Sequence, residues 1–581
     1  MLQSRKPKPL KSFPINKKKQ TMRHFLYFAL SLLLVCAVPL VSAQAESDEK
    51  KRPAVLKAKI TPIESLGVFT TPQQGSLGRD LWSNGDRRNI SALMSALPSK
   101  TENYALQRLR NGILLTAANT QLLKDKDPAQ DGADMFTLRL ENLLRIGAYD
   151  YAAKMYEKLD DEPYHPRLAK AGIITLMLQG EKALGCLEYK TVADRDFSEA
   201  AEKDTFWGDI ALYCDFALKT GDESKVALKA LKGADNKILK NIAVNSNYKT
   251  NYSKQRFQKM DLFSKAILKA DDRILKSNLT SINFNDLPPS HIELLYSEDD
   301  VESNPRTPML LNIQRLRWGY TDALQVRSFF QRNKKVLNKG EATGWRRIPS
   351  FYQKMDETTS EEEKLNVFSN HLHLKKSYGT AVFLPVIKHL RDIEEDNLNN
   401  AQRIGLIRIF HHAGLNWPSK WTKNVLENAK TPLGGTTSQR LFAVSVNNLS
   451  ANKIEKGDIE QFNSILDKNK VIQEEILKIV IEKLDKPLTN NHNHIKVYEK
   501  DALTSPVRTY SLPHQSLWNG LRQAGNGQSI SEVLLLTTLI MHDLQGIKIY
   551  PGIMQDTFKS LNAVGLTNVS KDLTNDLFLE E

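Results

Sequence analysis

Amphipathic segments that stop at a glycine recur along this chain, and they restrict its fold more than any other feature does. In the stretch "NISALMSAL", Ile90, Leu93, Met94 and Leu97 recur at the spacing of a helix. Glycine is favoured just past a helix end because it takes the left-handed conformation without steric cost. The glycines that follow such segments are Gly147, Gly180, Gly221, Gly414, Gly525 and Gly565. Each of them is predicted to be the turn of a helical hairpin.

The predicted fold class is therefore all-α, an irregular α-solenoid of helical hairpins similar to tetratricopeptide repeats. Gly147, Gly180 and Gly221 are 33 and 41 residues apart, and Gly525 and Gly565 are 40 apart. Helical-hairpin repeats have a period of about 34–47 residues. The long interval between Gly221 and the next such glycine has no clear period, so a set of unrelated helical hairpins is the alternative. Strand alternation and β-hairpin signals are lacking.

An apolar run near the start of the chain predicts export. Residues 25–41 are apolar with two exceptions, and a run of about 17 residues is the lower limit for spanning a bilayer. Small-residue patterns that end at Ala43 and Ala45 favour cleavage. Residues 1–45 are therefore predicted to be a signal peptide that is cleaved near one of these alanines, which would make the mature protein periplasmic. An uncleaved anchor in the inner membrane is the alternative.

The start of translation is a separate hypothesis. Residues 1–21 contain seven basic residues and no acid, which is a long basic region for a signal peptide. Met22 followed by Arg23 would begin a compact one. We therefore hypothesise that translation starts at Met22.

The formal charge of +14 first suggests nucleic-acid binding. The first 45 residues, however, hold eight of the 81 basic residues and no acid, so the rest has 73 basic against 67 acidic residues. A balance of +6 over such a chain favours solubility and argues against a nucleic-acid groove. No nucleic-acid partner is expected.

Polar breaks rich in Asn, Ser, Gly or Pro divide the chain. The apolar stretch "VLLLTTLIM" is too short to span a bilayer and is predicted to be a buried core helix. The predicted segments are a signal peptide at 1–45, an extended N-terminal segment at 46–85, a helical-hairpin repeat region at 86–244, a middle helical region at 255–345, a second helical region at 346–487, a linker loop at 488–511 and a C-terminal helical unit at 512–581.

The layout resembles two groups of proteins. One is the broad class of tetratricopeptide-like helical solenoids. The other is a type of uncharacterised exported all-helical protein from alphaproteobacteria, which is similar in the C-terminal stretch "LPHQSLWNGLRQAGNGQSISEVLLLTTLIM", in the "AVGL" helix after it and in an early region with two cysteines. The resemblance covers most of the chain after the signal peptide. Because its motifs are packing motifs, it implies fold and export but no activity.

The common catalytic motifs are missing: no Gly-x-Ser-x-Gly elbow, Walker loop, Gly-x-Gly-x-x-Gly or His-Glu-x-x-His occurs. The predicted function is an exported periplasmic scaffold that binds a protein or cell-envelope partner through the solenoid surface. Catalysis and cofactors are not expected, and the membrane would be contacted only through an uncleaved signal segment. The alternative is a cell-envelope enzyme related in layout to helical-superhelix proteins that act on peptidoglycan.

Histidines were considered as metal ligands. His371 and His373 are two residues apart, a spacing that directs them to different faces of a helix. His492 and His494 stand in a polar loop with no cysteine or acidic cluster beside them. The sequence therefore predicts no metal site.

A basic segment between 332 and 347 is a candidate surface for an anionic partner. Arginine and tryptophan together are enriched at binding surfaces, whereas a solvated basic loop is the alternative interpretation. The residues of this surface are Arg332, Lys334, Lys335, Lys339, Trp345, Arg346 and Arg347.

Cleavage of the signal peptide would leave two cysteines, Cys186 and Cys214. An even cysteine count in an exported chain favours a bridge, and each cysteine lies in a predicted helix of neighbouring hairpins. We therefore predict a structural Cys186–Cys214 disulfide. Two buried free thiols in the core are the alternative.

Overall fold

The structure is a computed structural model that describes residues 62–101, 103–125, 127, 134–159, 165–193, 204–276, 279, 282–391, 398–415, 512–543 and 550–579. These residues are mostly helical, which confirms the predicted all-α class. The predicted signal peptide, the linker loop at 488–511 and the pair His492 and His494 lie outside the described residues.

The helices begin where the sequence offers a side chain that caps them. Asp86, Asn103, Asp134 and Asp322 each accept a hydrogen bond from a backbone N–H three residues later, which satisfies a donor that a helix start leaves open. The described helices are α1 Arg87–Ser95, α2 Tyr104–Leu115, α3 Met135–Ile146, α4 Tyr149–Tyr156, α5 Pro166–Leu178, α6 Lys182–Ala193, α7 Thr205–Leu218, α8 Gly221–Ala230, α9 Lys237–Val244, α10 Lys254–Lys259, α11 Leu262–Ala270, α12 Pro289–Leu295, α13 Arg306–Arg317, α14 Ala323–Leu337, α15 Arg347–Glu357, α16 Glu361–His371, α17 Leu374–Tyr378, α18 Lys388–Arg391, α19 Asn400–His412, α20 Gln515–Asn526, α21 Ile530–Asp543, α22 Pro551–Ala563 and α23 Thr567–Leu579.

Short 3₁₀ turns join these helices, and the longest runs over Thr380–Val386. The described strands are β1, Thr250–Asn251, and β2, Ile274–Leu275, which pair in parallel with Thr250 opposite Ile274. Two residues are too few to show an alternating pattern in the sequence. None of the helices in the described part of the chain has both the length and the apolar character needed to cross a bilayer.

Three successive hairpins form the region from α3 to α8. Helix α3 packs on α4, α5 on α6, and α7 on α8, while α3 contacts α5 and α6 contacts α7. Gly147 joins the first pair with a φ of 89°, and a Cβ there would approach the Ser290 Cα to 2.3 Å. Gly180 and Gly221 also have positive φ. Gly147 and Gly180 therefore stand in the turns between paired helices, as predicted, whereas Gly221 is the first residue of α8.

The prediction for Gly525 was wrong. Helix α20 continues past it to Asn526, and the positive φ falls on Gln528. Gly525 is buried, and a Cβ there would approach Ser560 Oγ of α22 to 2.7 Å. Close packing between two helices, and not a turn, therefore explains this glycine.

Helix α2 is buried on both its apolar and its polar side. Its apolar residues contact α3, α21 and α23. On the other side, Gln107 Nε2 donates to the Arg317 carbonyl at 2.8 Å and Arg110 Nη2 to the Trp318 carbonyl at 3.0 Å. Asn111 Nδ2 completes the row with a 2.7 Å bond to the carbonyl of Gly319. The polar side of α2 thus binds the carbonyls that α13 leaves open at its end.

The C-terminal helices pack against the start of the described chain. Helix α21 contacts α1 and α2, and α23 contacts α2. Glu532 Oε1 accepts a 2.8 Å hydrogen bond from the Asp86 N–H, and the Ile530 N–H donates to the Ser83 carbonyl. Most residues of α21 between Val533 and Met541 are buried, as predicted for a core helix.

Candidate binding groove

A groove with a cavity of about 720 Å³ lies between α3, α5, α7 and α11, and we call it the hairpin groove. Its floor is apolar: Leu144, Ile174, Phe206 and Phe263 line it, and each is less than a tenth exposed. The rings of Phe206 and Phe263 meet edge to face with centroids 4.9 Å apart. Cavities of about 300–1,000 Å³ with such linings are typical of ligand sites.

Ion pairs neutralise part of the rim of the hairpin groove. Arg167 binds both carboxylate oxygens of Glu141 at 2.7 Å, and Lys170 Nζ lies 2.5 Å from Asp204 Oδ2. The Lys170 ammonium also lies 5.0 Å from the centroid of the Phe206 ring. Because both pairs are about one-third exposed, each contributes only about 0–1 kcal/mol to stability. They shape the rim more than they stabilise the fold.

Two further cations on the lining form no ion pair within the described part of the chain. Arg145 uses Nε and Nη2 to bind Asn142 Oδ1 and also donates from Nη2 to the Leu97 carbonyl at 2.8 Å. Lys265 is half-buried on α11. Desolvation lowers the pKa of both groups, while Asp261 opposes the shift at Lys265, so each charge carries a cost in the folded protein. A ligand carboxylate in the groove would offset that cost.

Asp209 lies at the end of the groove near α9 and is 6% exposed. Its Oδ1 accepts hydrogen bonds from the N–H groups of Asp235 and Asn236 at 2.9 and 3.3 Å. Burial raises the pKa of this carboxyl, while the two backbone donors oppose that shift. Asp209 therefore holds the turn before α9 and adds a carboxyl group to the lining of the groove.

A second cavity of about 440 Å³ is lined by α4, α11 and α12 and contains a buried charge network. Arg315 Nε donates to Glu293 Oε1 at 2.6 Å, and Arg315 Nη2 donates to Asp150. Burial raises the pKa of Glu293 to about 7, although Arg315 favours its charged form. Lys269 Nζ donates to the carbonyls of Glu293, at 3.1 Å, and Tyr296, and burial lowers its pKa to about 8.

The two carboxylates of this network do not form a free acid and base. Both are bound by the same guanidinium, and the Asp150 side chain is 28% exposed, whereas that of Glu293 is 3% exposed. A general base needs an oxygen that faces the substrate proton. The network is therefore better suited to holding α4, α12 and α13 together than to proton transfer.

The structure joins Cys186 of α6 and Cys214 of α7 in a disulfide with Cα atoms 5.4 Å apart. Both residues are almost fully buried, and the two helices pack side by side. The predicted pairing is therefore present, and it links the second hairpin to the third.

Removal of the disulfide should destabilise the protein. We expect the double variant Cys186→Ala, Cys214→Ala to lose about 3–4 kcal/mol of unfolding free energy, because the open chain gains the entropy of a 28-residue loop. Urea unfolding of the oxidised, reduced and double-variant proteins measures this loss. The reduced protein is the matched control and should behave like the variant; two free thiols on labelling of the unreduced, denatured protein would contradict the pairing.

The predicted basic surface is split by local ion pairs. Arg332 binds both oxygens of Glu298, at 3.0 and 2.9 Å, and Lys334 lies 3.4 Å from Glu357. The remaining members are exposed or half-buried. Arg346 donates from Nε to the Lys339 carbonyl at 3.0 Å and lies 4.9 Å from the centroid of the Trp345 ring; Lys335 and Arg347 are exposed.

The expectation that His371 and His373 face apart was wrong. Helix α16 ends at His371, so the chain turns before His373 and brings the ring centroids to 6.2 Å with planes inclined by 27°. Within the described residues, no group of three or more His, Cys, Asp or Glu side chains is arranged as a metal site.

Sequence reasoning did not identify the lining of the hairpin groove. Arg145 and Lys265 are isolated basic residues in amphipathic helices, where such residues normally face solvent. Only the packing of α5 against both α3 and α11 brings them to the lining of one cavity. The one available signal was the glycine spacing that predicted the hairpins themselves.

Searches of family models, curated proteins and solved structures found no match to this chain.

Proposed function

We propose that this protein is an exported periplasmic scaffold that binds an extended segment of a protein partner in the hairpin groove and performs no catalysis. The observation that carries the proposal is the groove itself: an apolar floor whose lining also contains the cations Arg145 and Lys265 and the buried carboxyl group of Asp209. A peptide offers apolar side chains and charges of both signs, so it complements this lining. The groove is too open and too mixed in charge to favour a purely apolar ligand.

The repeat-like arrangement supports the same function. We take the three hairpins from α3 to α8 as the core of an irregular solenoid, whose stacked hairpins would present an extended binding surface. The Cys186–Cys214 disulfide supports export, because disulfides persist in oxidising compartments. Cleavage near Ala43 or Ala45 would release the mature chain, and N-terminal sequencing of the processed protein distinguishes it from an anchored form.

Selection of peptides from a displayed library on the full mature chain tests the groove. We expect selected peptides to bind the variant Lys265→Glu at least about tenfold more weakly, since reversing a half-buried charge costs more than about 1.4 kcal/mol. The matched control is Lys229→Glu, which changes an exposed lysine of α8 away from the groove. Equal binding to both variants, or failure to select any peptide, would contradict the proposal.

One observation favours the alternative, a cell-envelope enzyme: the pKa of Glu293 lies near 7 beside a cavity, as a general acid or base requires. Incubation of the protein with purified peptidoglycan decides the matter. The scaffold function predicts no release of soluble fragments by either the unmodified protein or Glu293→Gln. Release that the substitution abolishes would favour the enzyme.

A further inference from the structure

Four basic side chains surround the place where α15 meets the end of α16. Arg347 and Lys354 belong to α15, and His371 and His373 stand at and just after the end of α16. Arg347 Nη1 lies 3.3 Å from His373 Nε2, and the two imidazole rings are 6.2 Å apart. We call these residues the His–Arg cluster.

The hydrogen bonds of His373 define its neutral state. Its Nδ1 lies 2.9 Å from the Asn370 carbonyl and therefore donates, so Nε2 is the acceptor of the Arg347 N–H. If Nε2 were protonated, it would be a donor as well, and the N–H groups of His373 and Arg347 would face each other without an acceptor. A negatively charged oxygen between the two groups would accept from both and restore two charge-assisted hydrogen bonds.

His371 adds a third donor in the same way. Its Nδ1 donates to the Val367 carbonyl at 2.6 Å, and its ring stacks on Phe351 with centroids 4.9 Å apart. The Nε2 atom has no hydrogen-bond partner within the described part of the chain. Burial lowers the pKa of His371, and the charges of Lys354 and Arg347 lower it further. An anion bound there would reverse this repulsion.

The acidic groups of α15 are already bound elsewhere. Asp356 pairs with Arg327 and lies 2.9 Å from His389 Nε2, and Glu357 binds Lys334 and Gln353.

Arg306 of α13 is a further basic group near this place. Burial raises the pKa of Tyr378 of α17, while the charges of Arg306 and Arg347 oppose that shift. Among the described residues, the charge that faces the His–Arg cluster from α13, α15 and α17 is therefore positive.

We propose that Arg347, His371 and His373 bind the phosphate group of a phosphomonoester and that binding takes up a proton. Arginine and protonated imidazole are the donors that phosphate oxygens prefer. A phosphomonoester has its second pKa at about 6, so near neutral pH its dianion offers charged oxygens to these donors. This site shares no residue with the hairpin groove, so the two proposals stand or fall separately.

Calorimetric titration of the full mature chain with glycerol 3-phosphate and with inorganic phosphate tests the site. We expect binding about tenfold tighter at about pH 6 than at about pH 8, because Nε2 of an imidazole can donate to the phosphate only when it is protonated, and a lower pH favours that form. Measurements in two buffers of different ionisation enthalpy should reveal the proton uptake. Binding that does not change with pH would overturn the proposal.

Substitutions assign the residues. Arg347→Gln should weaken binding at least about tenfold, the expected cost of one charge-assisted hydrogen bond of about 1.5–3 kcal/mol. His373→Gln should reduce the pH dependence, and it provides a second readout if Arg347→Gln folds poorly. The matched control, Arg88→Gln, removes an exposed arginine of α1 that lies outside the candidate sites and should bind as the unmodified protein does. Equal affinity of Arg347→Gln and Arg88→Gln would overturn the assignment.

Lipid vesicles distinguish the two sources of the phosphomonoester, which are a lipid headgroup and a soluble ester. Vesicles with phosphatidic acid carry a phosphomonoester, whereas those with phosphatidylglycerol carry only a diester. Binding to the former that inorganic phosphate displaces would support a lipid headgroup, and binding of glycerol 3-phosphate without vesicle binding would support a soluble ester. Equal binding to both vesicle types would overturn the specificity for a monoester.

Discussion

Replacing Asp576 with alanine should lower the free energy of unfolding by about 3–5 kcal/mol. Asp576 of α23 is 1% exposed and binds two groups from distant parts of the chain. Its Oδ1 accepts from His411 Nε2 of α19, and its Oδ2 accepts from the Ala105 N–H of α2 at 2.6 Å. Burial alone would raise the pKa of Asp576, but the His411 side chain holds it below its ordinary value. The alanine variant leaves both buried donors without an acceptor.

The same helix supplies the control. Asp572 lies one turn before Asp576, its side chain is 50% exposed, and it is 3.4 Å from Arg108. Asp572→Ala should therefore cost less than about 1 kcal/mol. Urea unfolding of both variants measures the difference, and hydrogen exchange should show loss of protection in α23 for Asp576→Ala alone. Similar stabilities for the two variants would show that the buried contact contributes little.

This contact also shows what the sequence could not predict. The helices α6 and α7 and the cysteines in them follow from local patterns, because amphipathic spacing and a turn glycine act within a few residues. The pairing of His411 with Asp576 joins residues 165 positions apart. No local pattern marks a histidine that will be buried against a carboxylate, and the adjacent His412 instead stacks on Tyr104 with ring centroids 3.9 Å apart.

Helix α2 gives a second example. Its apolar residues recur at helical spacing, which predicts one buried face. Its polar residues lie between them, as is typical of a face that contacts solvent. The structure buries Gln107, Arg110 and Asn111 against the end of α13. A polar residue that binds an open helix end has the same sequence pattern as one that faces water, so only tertiary packing distinguishes them.

The candidate sites show the same limit. The density of basic residues in the segment 332–347 could be read from the sequence. Its ion pairs could not, because they depend on where the fold places Glu298 beside Arg332 and Glu357 beside Lys334. Likewise, the His–Arg cluster exists because α16 ends between His371 and His373. A helix boundary that differed by one turn would have separated the two rings.

The protein should become less stable as the pH falls from about 6.5 to about 4, and His291 should account for part of this loss. His291 is 1% exposed, and its Nδ1 lies 2.9 Å from the Tyr252 hydroxyl. Burial, with smaller contributions from Lys265 and Lys254, lowers its pKa to about 4. The unfolded chain, in which this pKa is about 6.5, therefore binds more protons between these pH values. Stability is fully present above about pH 6.5 and is lost as the pH falls through that range.

The expected magnitude follows from the size of the shift. A displacement of about 2.5 pKa units corresponds to about 3 kcal/mol when the imidazole is fully protonated in the unfolded chain. Urea unfolding at about pH 7 and about pH 4.5 measures this loss.

A difference between variants isolates the contribution of His291. His291→Gln cannot protonate, so its stability should fall by about 2–3 kcal/mol less than that of the unmodified protein over the same pH interval. The same pH dependence in His291→Gln would mean that His291 is charged in the folded protein. The buried contact with Tyr252 argues against that outcome, because a charged imidazole there would have no carboxylate partner among the described residues and would carry the full cost of desolvation.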